Sequence, residues 1–289
     1  MACCSALEGL KYTGFDVVIC ENGGPDAYET LRKELPGTLS GGQPVRCVLA
    51  PGNLGYAGGV NFCMDVNPDA DGWWILNPDA RPLPDALSAL IARLSEGNCE
   101  AVGGVLYHEN NVVQAYGGRW RGWLARSESI GIGARLSEPV NAKNIEHSMN
   151  YLLGASMLVT KVFRQTVGPM REDYFLYCEE VEWFLRARRH GMRLGFAPQS
   201  LVAHVQGGTT GSAAAIRHRP KLPIYLDERN KLHVVRDTTP LRLPVAILAA
   251  FGLLTLRYLK HGAFRSWRYA RAGWWGGVRG ERGIPDWLA

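Results

Sequence analysis

Four short apolar runs, each followed by a stretch of different periodicity, constrain the fold of this chain more than any other feature. Residues 16–20, Val45–Leu49, Gly72–Leu76 and Ala101–Tyr107 read as strands, while residues 27–35, 59–65 and 83–94 between them carry apolar side chains at helical spacing. This alternation predicts a mostly parallel sheet covered on both faces by helices. Ligands of such sheets bind beyond the carboxyl ends of the strands, so polar residues just after each run are the first candidates for a site. Residues 108–150 are Gly-rich and irregular, with turn signals at Asn110, Asn111, Gly117 and Gly118, and predict a hairpin or a mobile loop. A further strand is expected over 151–160, a short helix over Lys161–Val167, and a strand over 192–197 that stops at Pro198.

The polar residues after the strands fall into a few groups. Glu21 and Asn22 end the first run and offer acceptors to a base or ribose. The segment from Pro51 to Asn61 is a Gly-rich strand-to-helix turn containing Asn53, Gly55, Gly58 and Gly59. It has neither the spacing of a dinucleotide fingerprint nor the Gly-Lys-Ser/Thr of a phosphate loop. It suits close backbone approach to a nucleotide at a helix start. Asn77-Pro78-Asp79 places a carboxylate at a strand end, where it can hold a hard divalent cation or simply cap the next helix. His204 follows a later strand and precedes Gln206-Gly207-Gly208-Thr209-Thr210; it can join a carboxylate on Mg2+ or Mn2+, or serve a structural duty.

Glu179, Glu180 and Glu182 stand within four residues of one another behind an aromatic segment. Crowded carboxylates hold their protons more tightly than in water, which suits a general base. The same cluster also suits the solvated start of a helix. Read as a helix, it puts Glu179, Glu182, Trp183 and Arg186 on one stripe and Glu180 on the next.

Taken in order, Glu21-Asn22-Gly23-Gly24, the run from Asn53 to Asn61, Leu76-Asn77-Pro78-Asp79, Gly154-Ala155-Ser156-Met157, the run from Phe175 to Trp183, His204 and Arg229-Asn230 resemble family 2 glycosyltransferases, in particular a rhamnosyltransferase-like branch. The resemblance spans roughly residues 3–235. It implies the GT-A fold, an α/β Rossmann-like mixed sheet flanked by helices, over residues 1–235, with a helical tail over 236–289. It implies an inverting enzyme that takes a nucleotide-diphosphosugar and passes the sugar to a hydroxyl of a lipid-linked or polysaccharide acceptor. Under it Glu180, ahead of Glu179, is the base, and Asp79 and His204 hold Mg2+ or Mn2+. Glu21, Asn22, Asn53, Gly55, Gly58, Gly59, Asn61 and Asn77 lie on the donor nucleotide. Gly154, Ala155, Ser156, Glu182 and Trp183 border the acceptor. The family has Asp where this chain has Glu180, which lengthens the arm by one methylene, and a catalytically impaired sugar-nucleotide or glycan-binding module is the alternative. The resemblance also implies an opening strand that would precede Met1, so a start further upstream is expected.

Charge divides the chain. The net charge is +5, yet from Arg217 onward 14 Lys and Arg face 5 Asp and Glu, so the preceding part is slightly acidic. The apolar stretch 243–256 would span about 21 Å as a helix, short of the roughly 30 Å of bilayer hydrocarbon. Basic residues with Tyr258, Trp267, Tyr269, Trp274 and Trp275 follow it. This tail predicts either a helix in the headgroup layer of a membrane or one packed on the domain. Seven scattered cysteines without metal spacing, and no basic segment leading into an apolar core at the start, point to a cytoplasmic protein on the inner face of the membrane. No recognisable nucleic-acid-binding pattern is present, so nucleic acid is not an expected partner.

Overall fold

The computed structural model describes residues 2–205 and 215–287. α1 (Ala2–Glu8) leads into β1 (Val17–Glu21), α2 (Pro25–Glu34) and β2 (Val45–Leu49). α2 starts with Pro25 and Asp26 and ends with Arg32 and Lys33, an order that matches the helix dipole. α3 (Gly55–Val66), β3 (Gly72–Leu76), the short β4 (Ala80–Pro82), α4 (Ala86–Ser95) and β5 (Ala101–Tyr107) follow. The expected elements are all present, each within a few residues of its predicted bounds.

Residues 108–150 hold more structure than the sequence suggested. β6 (Val113–Ala115) is followed by the hairpin of β7 (Gly117–Arg121) and β8 (Arg126–Ile130), and by α5 (Ala142–Ser148). Gly117 and Gly118 lie inside β7 rather than in its turn, because a Cβ at Gly118 would run into the Tyr151 ring. β9 (Ser156–Thr160) is shorter than predicted, since residues 151–155 bend away and close a turn through Ser156 N–H to Leu153 O at 3.2 Å. After α6 (Lys161–Val167) and α7 (Glu179–Arg189), β10 (Leu194–His204) runs straight through Pro198. Its register against β5 shifts between Phe196 and Leu201, and that bulge absorbs the missing proline donor.

The main sheet has six strands in the order β3-β9-β5-β10-β4, with β6 on β5, while β1 and β2 form a separate parallel pair. Within the six-stranded sheet only β5 and β10 are parallel. The expectation of a mostly parallel sheet therefore fails. The reversal lies in β9, antiparallel to both β3 and β5, and in β4, antiparallel to β10. Alternation along β9 and β5 sends Leu158 and Val102 toward Leu90 of α4. Met157, Val159 and Ala101 join the cluster of Phe163, Trp183 and Phe184 from α6 and α7. Both sheet faces are thus buried by helices.

The tail is α8 (Lys221–Thr238), α9 (Leu243–Lys260) and α10 (Phe264–Arg279), and the boundary expected at residue 235 falls inside α8. With its leading turn the apolar helix covers the 21 residues Pro240–Lys260, within which an 18-residue stretch has a mean hydropathy of 1.5. At 1.5 Å per residue the whole helix is about 31 Å long, so it reaches bilayer length and corrects the shorter figure drawn from 243–256. Ala246, Ala250, Leu254 and Tyr258 are buried along one face; Leu241, Val245, Leu248, Leu256 and Leu259 are exposed on the other. α10 lies against α8 through Gly273, Gly276 and Gly277, where a Cβ would collide with Tyr225 O, the Tyr225 hydroxyl and Arg229 O respectively. Substituting Gly273→Val should force these helices apart and cost about 1–3 kcal/mol, read from urea unfolding. Gly252→Ala, in open space on α9, should instead gain up to about 1 kcal/mol.

Candidate active site

The Asn77–Asp79 turn and the end of β10 meet because β4 and β10 are antiparallel with His204 opposite Ala80. That register sets the His204 ring against Asp79, Nε2 to Oδ1 at 3.3 Å, with Asn77 Nδ2 at 3.5 Å from the same ring nitrogen. Gln114 of β6 decides the imidazole tautomer. Its amide nitrogen donates to the His204 carbonyl, which can only accept, so its Oε1 faces and accepts from His204 Nδ1 at 3.0 Å. Nδ1 therefore carries the proton and Nε2 turns its lone pair toward the Asp79 carboxylate. Burial lowers the His204 pKa while Asp79 raises it, with a net downward shift that keeps the ring neutral.

Two acceptors at this separation fit adjacent positions around one divalent cation, and a neutral imidazole with a carboxylate is a suitable donor pair. No cluster of three His, Cys, Asp or Glu occurs among the described residues. Further coordination would have to come from the Asn77 side chain, phosphate oxygens or water, as is usual where a cation is shared with a nucleotide. Nothing in the sequence singled out Gln114; the signal lies in β6 pairing with β5 beside β10, which only the sheet reveals.

The second element is the turn before α7. Phe175 has φ 64° and ψ −58°, and Leu176 N–H closes a γ-turn on Tyr174 O at 2.8 Å. Tyr177 and Cys178 also have positive φ, 74° and 68°. Each such non-glycine residue costs about 1–3 kcal/mol. α7 starts directly after them, at Glu179. Glu179 is buried, one carboxylate oxygen has no partner, and burial followed by repulsion from Glu180 pushes its pKa well up. Glu180 is half-buried; burial raises it to about 7 against the pull of the backbone N–H groups of Glu180 and Val181, with Asp227 adding a smaller upward push. Glu180 is thereby poised between its two states near neutral pH, with Glu179 beside it shifted in the same direction.

Residues 154–156 join the two elements. Asn77 N–H donates to Ala155 O at 3.1 Å, and the Tyr56 hydroxyl donates to Gly154 O beside Glu179 and Glu180. Tyr56, whose N–H is held by Phe175 O of the acidic turn, thus links that turn through residues 154–155 to Asn77 beside the Asp79–His204 pair.

The other candidates make contacts within the fold. Asn22 accepts from Leu54 N–H and donates to Gly55 O at 2.9 Å, so it staples the Gly-rich turn. Gly55, with φ 68°, is pressed against Phe175 O, which receives Tyr56 N–H at 2.8 Å; Gly58 and Gly59 are buried against Leu54 and Asn22. Asn61 is buried and bonded to Met170 and Glu172. The run thus interlocks with the acidic turn through Tyr56 N–H and Phe175 O. Ser156 is buried and accepts from Trp74 Nε1 at 3.0 Å. Glu182 is paired with Arg186, and Trp183 is fully buried, bonded to Gly168 O and packed on Phe163. Glu21 remains near the surface, its Oε1 accepting from Gly23 N–H, and Asn53 is exposed with its Oδ1 on Gly55 N–H. The segment 206–210 lies outside the described residues.

A mixed sheet with a carboxylate–imidazole pair at its strand ends and a poised glutamate at a helix start defines the class of an α/β transferase fold. The model of the family "Glycosyl transferase family 2" matches residues 2–153, more than half of the chain, and the chain belongs to that family. It is 24% identical over 183 residues to the low-salt glycan biosynthesis hexosyltransferase Agl10 of Haloferax volcanii, covering 62% of this chain and 56% of that protein. The chain thus spans little more than half the length of that curated relative. Among solved structures, the mannosyltransferase PcManGT from Pyrobaculum calidifontis, in complex with GDP-Man and Mn2+, superposes with a TM-score of 0.53 at 12% identity, covering 95% of this chain and 81% of that one. GalNAc-T7 with UDP, GalNAc and Mn2+ also gives 0.53, at 14% identity, over 76% of this chain and 43% of that one. These likenesses establish the GT-A fold.

In a carbon-13 titration of the glutamate carboxyls, Glu180 should show a midpoint near 7, with Glu179 shifted well up from the usual carboxylate range. Asp227→Asn should move the Glu180 midpoint down, since it removes an upward push.

Proposed function

We propose that this chain is an inverting glycosyltransferase that moves a sugar from a nucleotide-diphosphosugar to an acceptor hydroxyl. The observation that carries this reading is the link, through Tyr56 and residues 154–155, between the Asp79–His204 pair and the strained turn that leads into Glu180. Glu180 accepts the proton of the acceptor hydroxyl as its oxygen attacks the anomeric carbon. The bond from that carbon to the phosphate oxygen breaks with inversion, and the nucleoside diphosphate leaves. Asp79 and His204 would hold a divalent cation, which supplies positive charge against the leaving diphosphate. Glu21 and Asn53 stay available for the donor nucleotide, and Gly154 for the acceptor. Membership of the rhamnosyltransferase-like branch, with rhamnose as the sugar and a lipid-linked or polysaccharide acceptor in cell-surface glycan synthesis, is proposed from the motif order.

We further propose residues 1–235 as the transferase unit and 236–289 as a tail that seats the protein on the inner face of the cell membrane. The bare apolar stripe of α9, with Arg257 and Lys260 at its end and Arg265, Arg268 and Arg271 on α10, supports contact with anionic phospholipid. The packed opposite face of α9 favours a helix lying in the interface over one that spans it.

With a panel of nucleotide-sugars, membrane extract and Mg2+ or Mn2+, the protein should release nucleoside diphosphate; no release from any donor would overturn the reading. Asp79→Ala should abolish the metal-dependent rate with the fold intact. Glu180→Gln should lower kcat about 100-fold or more with the donor KM changed less than about threefold. A larger loss from Glu179→Gln would reassign the base. Because Glu180 must be ionised to act, the rate should climb with pH through about 7. In vesicle sedimentation, the pair Leu248→Glu and Leu256→Glu should abolish binding to anionic phospholipid, and unchanged binding would sink the membrane assignment.

A further inference from the structure

Arg229 and Asn230 sit side by side in α8, and both are fully buried. A guanidinium and a carboxamide are costly in such surroundings unless their groups are bonded. The Asn230 amide nitrogen approaches three carbonyls of the acidic turn: Tyr174 at 2.9 Å, Leu176 at 2.8 Å and Tyr177 at 2.9 Å. Two amide hydrogens shared among three carbonyls draw those oxygens toward one point, which the chain meets only by curling. The curl is where Phe175, Tyr177 and Cys178 take positive φ. Arg229 fixes the orientation of the carboxamide, its Nε donating to Asn230 Oδ1 at 3.0 Å. Its Nη2 reaches Tyr174 O at 3.3 Å, and its Nη1 ties Gly283 O at 2.8 Å.

We propose that Asn230, oriented by Arg229, is a positioning residue that holds the 174–178 turn in its strained form and so sets the direction in which Glu180 enters the site. The catalytic half of this inference rests on Glu180 as the base; the turn-holding half does not. A strained turn without its clamp relaxes, and a base displaced by about 1 Å can lose about 100-fold in rate.

Cys178 closes the turn and is buried, so its thiol reports the turn directly. Cys99, buried in the separate cluster of Leu90, Val102 and Leu158, reports the rest of the fold. Maleimide alkylation of the folded protein, followed at each cysteine by peptide mass spectrometry, should be about 10-fold or more faster at Cys178 in Asn230→Ala and in the isosteric Asn230→Asp, with Cys99 unchanged. In the same variants kcat should fall about 10-fold or more, with donor KM held. Arg229→Lys, which keeps the charge but loses the planar fork, should give a smaller change of the same sign and serves if the Asn230 variants do not fold. Equal acceleration at Cys99 and Cys178, or none at Cys178, would overturn the clamp. Faster Cys178 labelling with unchanged kcat would overturn its link to Glu180. Should the unaltered protein transfer no sugar, the reading of Glu180 fails, while the alkylation comparison still decides the clamp.

Discussion

Four consecutive backbone carbonyls, those of residues 174–177, each accept a hydrogen bond from a residue distant in sequence, and the rest of the site depends on that fact. Phe175 O takes the Tyr56 N–H of the Gly-rich turn; Tyr174, Leu176 and Tyr177 take the Asn230 side chain. Three positive-φ residues impose a strain of several kcal/mol. Individual hydrogen bonds net only about 0.5–1.5 kcal/mol, so no single contact offsets the strain, whereas the set does. The turn is therefore a joint between α3, α7 and α8, and the acidic start of α7 points where that joint sends it.

The two functional halves obtain their chemistry in opposite ways. At Glu179 and Glu180 the dominant influence is burial, which favours the neutral carboxyl, and their mutual proximity separates their behaviour. The deeper residue is shifted well up and the shallower one sits near neutrality. At His204 burial likewise favours the neutral form, but the outcome is set by one amide. Gln114 can satisfy the His204 carbonyl and Nδ1 together only in a single orientation, and this frees Nε2 toward Asp79.

The tail is more closely part of the domain than a separate anchor would be. The glycines of α10 bring its backbone against α8, and the segment beyond it returns to the acidic turn. Arg282 pairs with Asp237 at 2.7 and 2.9 Å and with Asp173 at 3.3 Å, and its guanidinium lies over the Tyr174 ring. Gly283 N–H reaches Asp173 O at 2.7 Å. Residues that read as a basic tail in one dimension are in part the support of the turn in three.

The sequence by itself determined the alternation of strands and helices, because hydrophobic period is a local property. It also marked Asp79, His204, Glu179 and Glu180 as candidates, because their chemistry is unusual at strand ends and helix starts. It misjudged the sheet direction, the reach of β10 through Pro198 and the length of the apolar helix, each of which depends on what lies alongside. Asn61, Ser156 and Trp183 have the residue types of a binding site, yet each polar side chain is satisfied by a partner from another element, while Glu182 is paired with Arg186 one turn along α7. Gln114 carried the opposite error, looking ordinary until the fold set it against His204, and Asn230, part of the motif order, gained a role only when the fold set it against the 174–178 turn. Only the tertiary structure decided which polar side chains were left free, since satisfaction of a buried hydrogen-bonding group is a pairwise fact between segments distant in the chain.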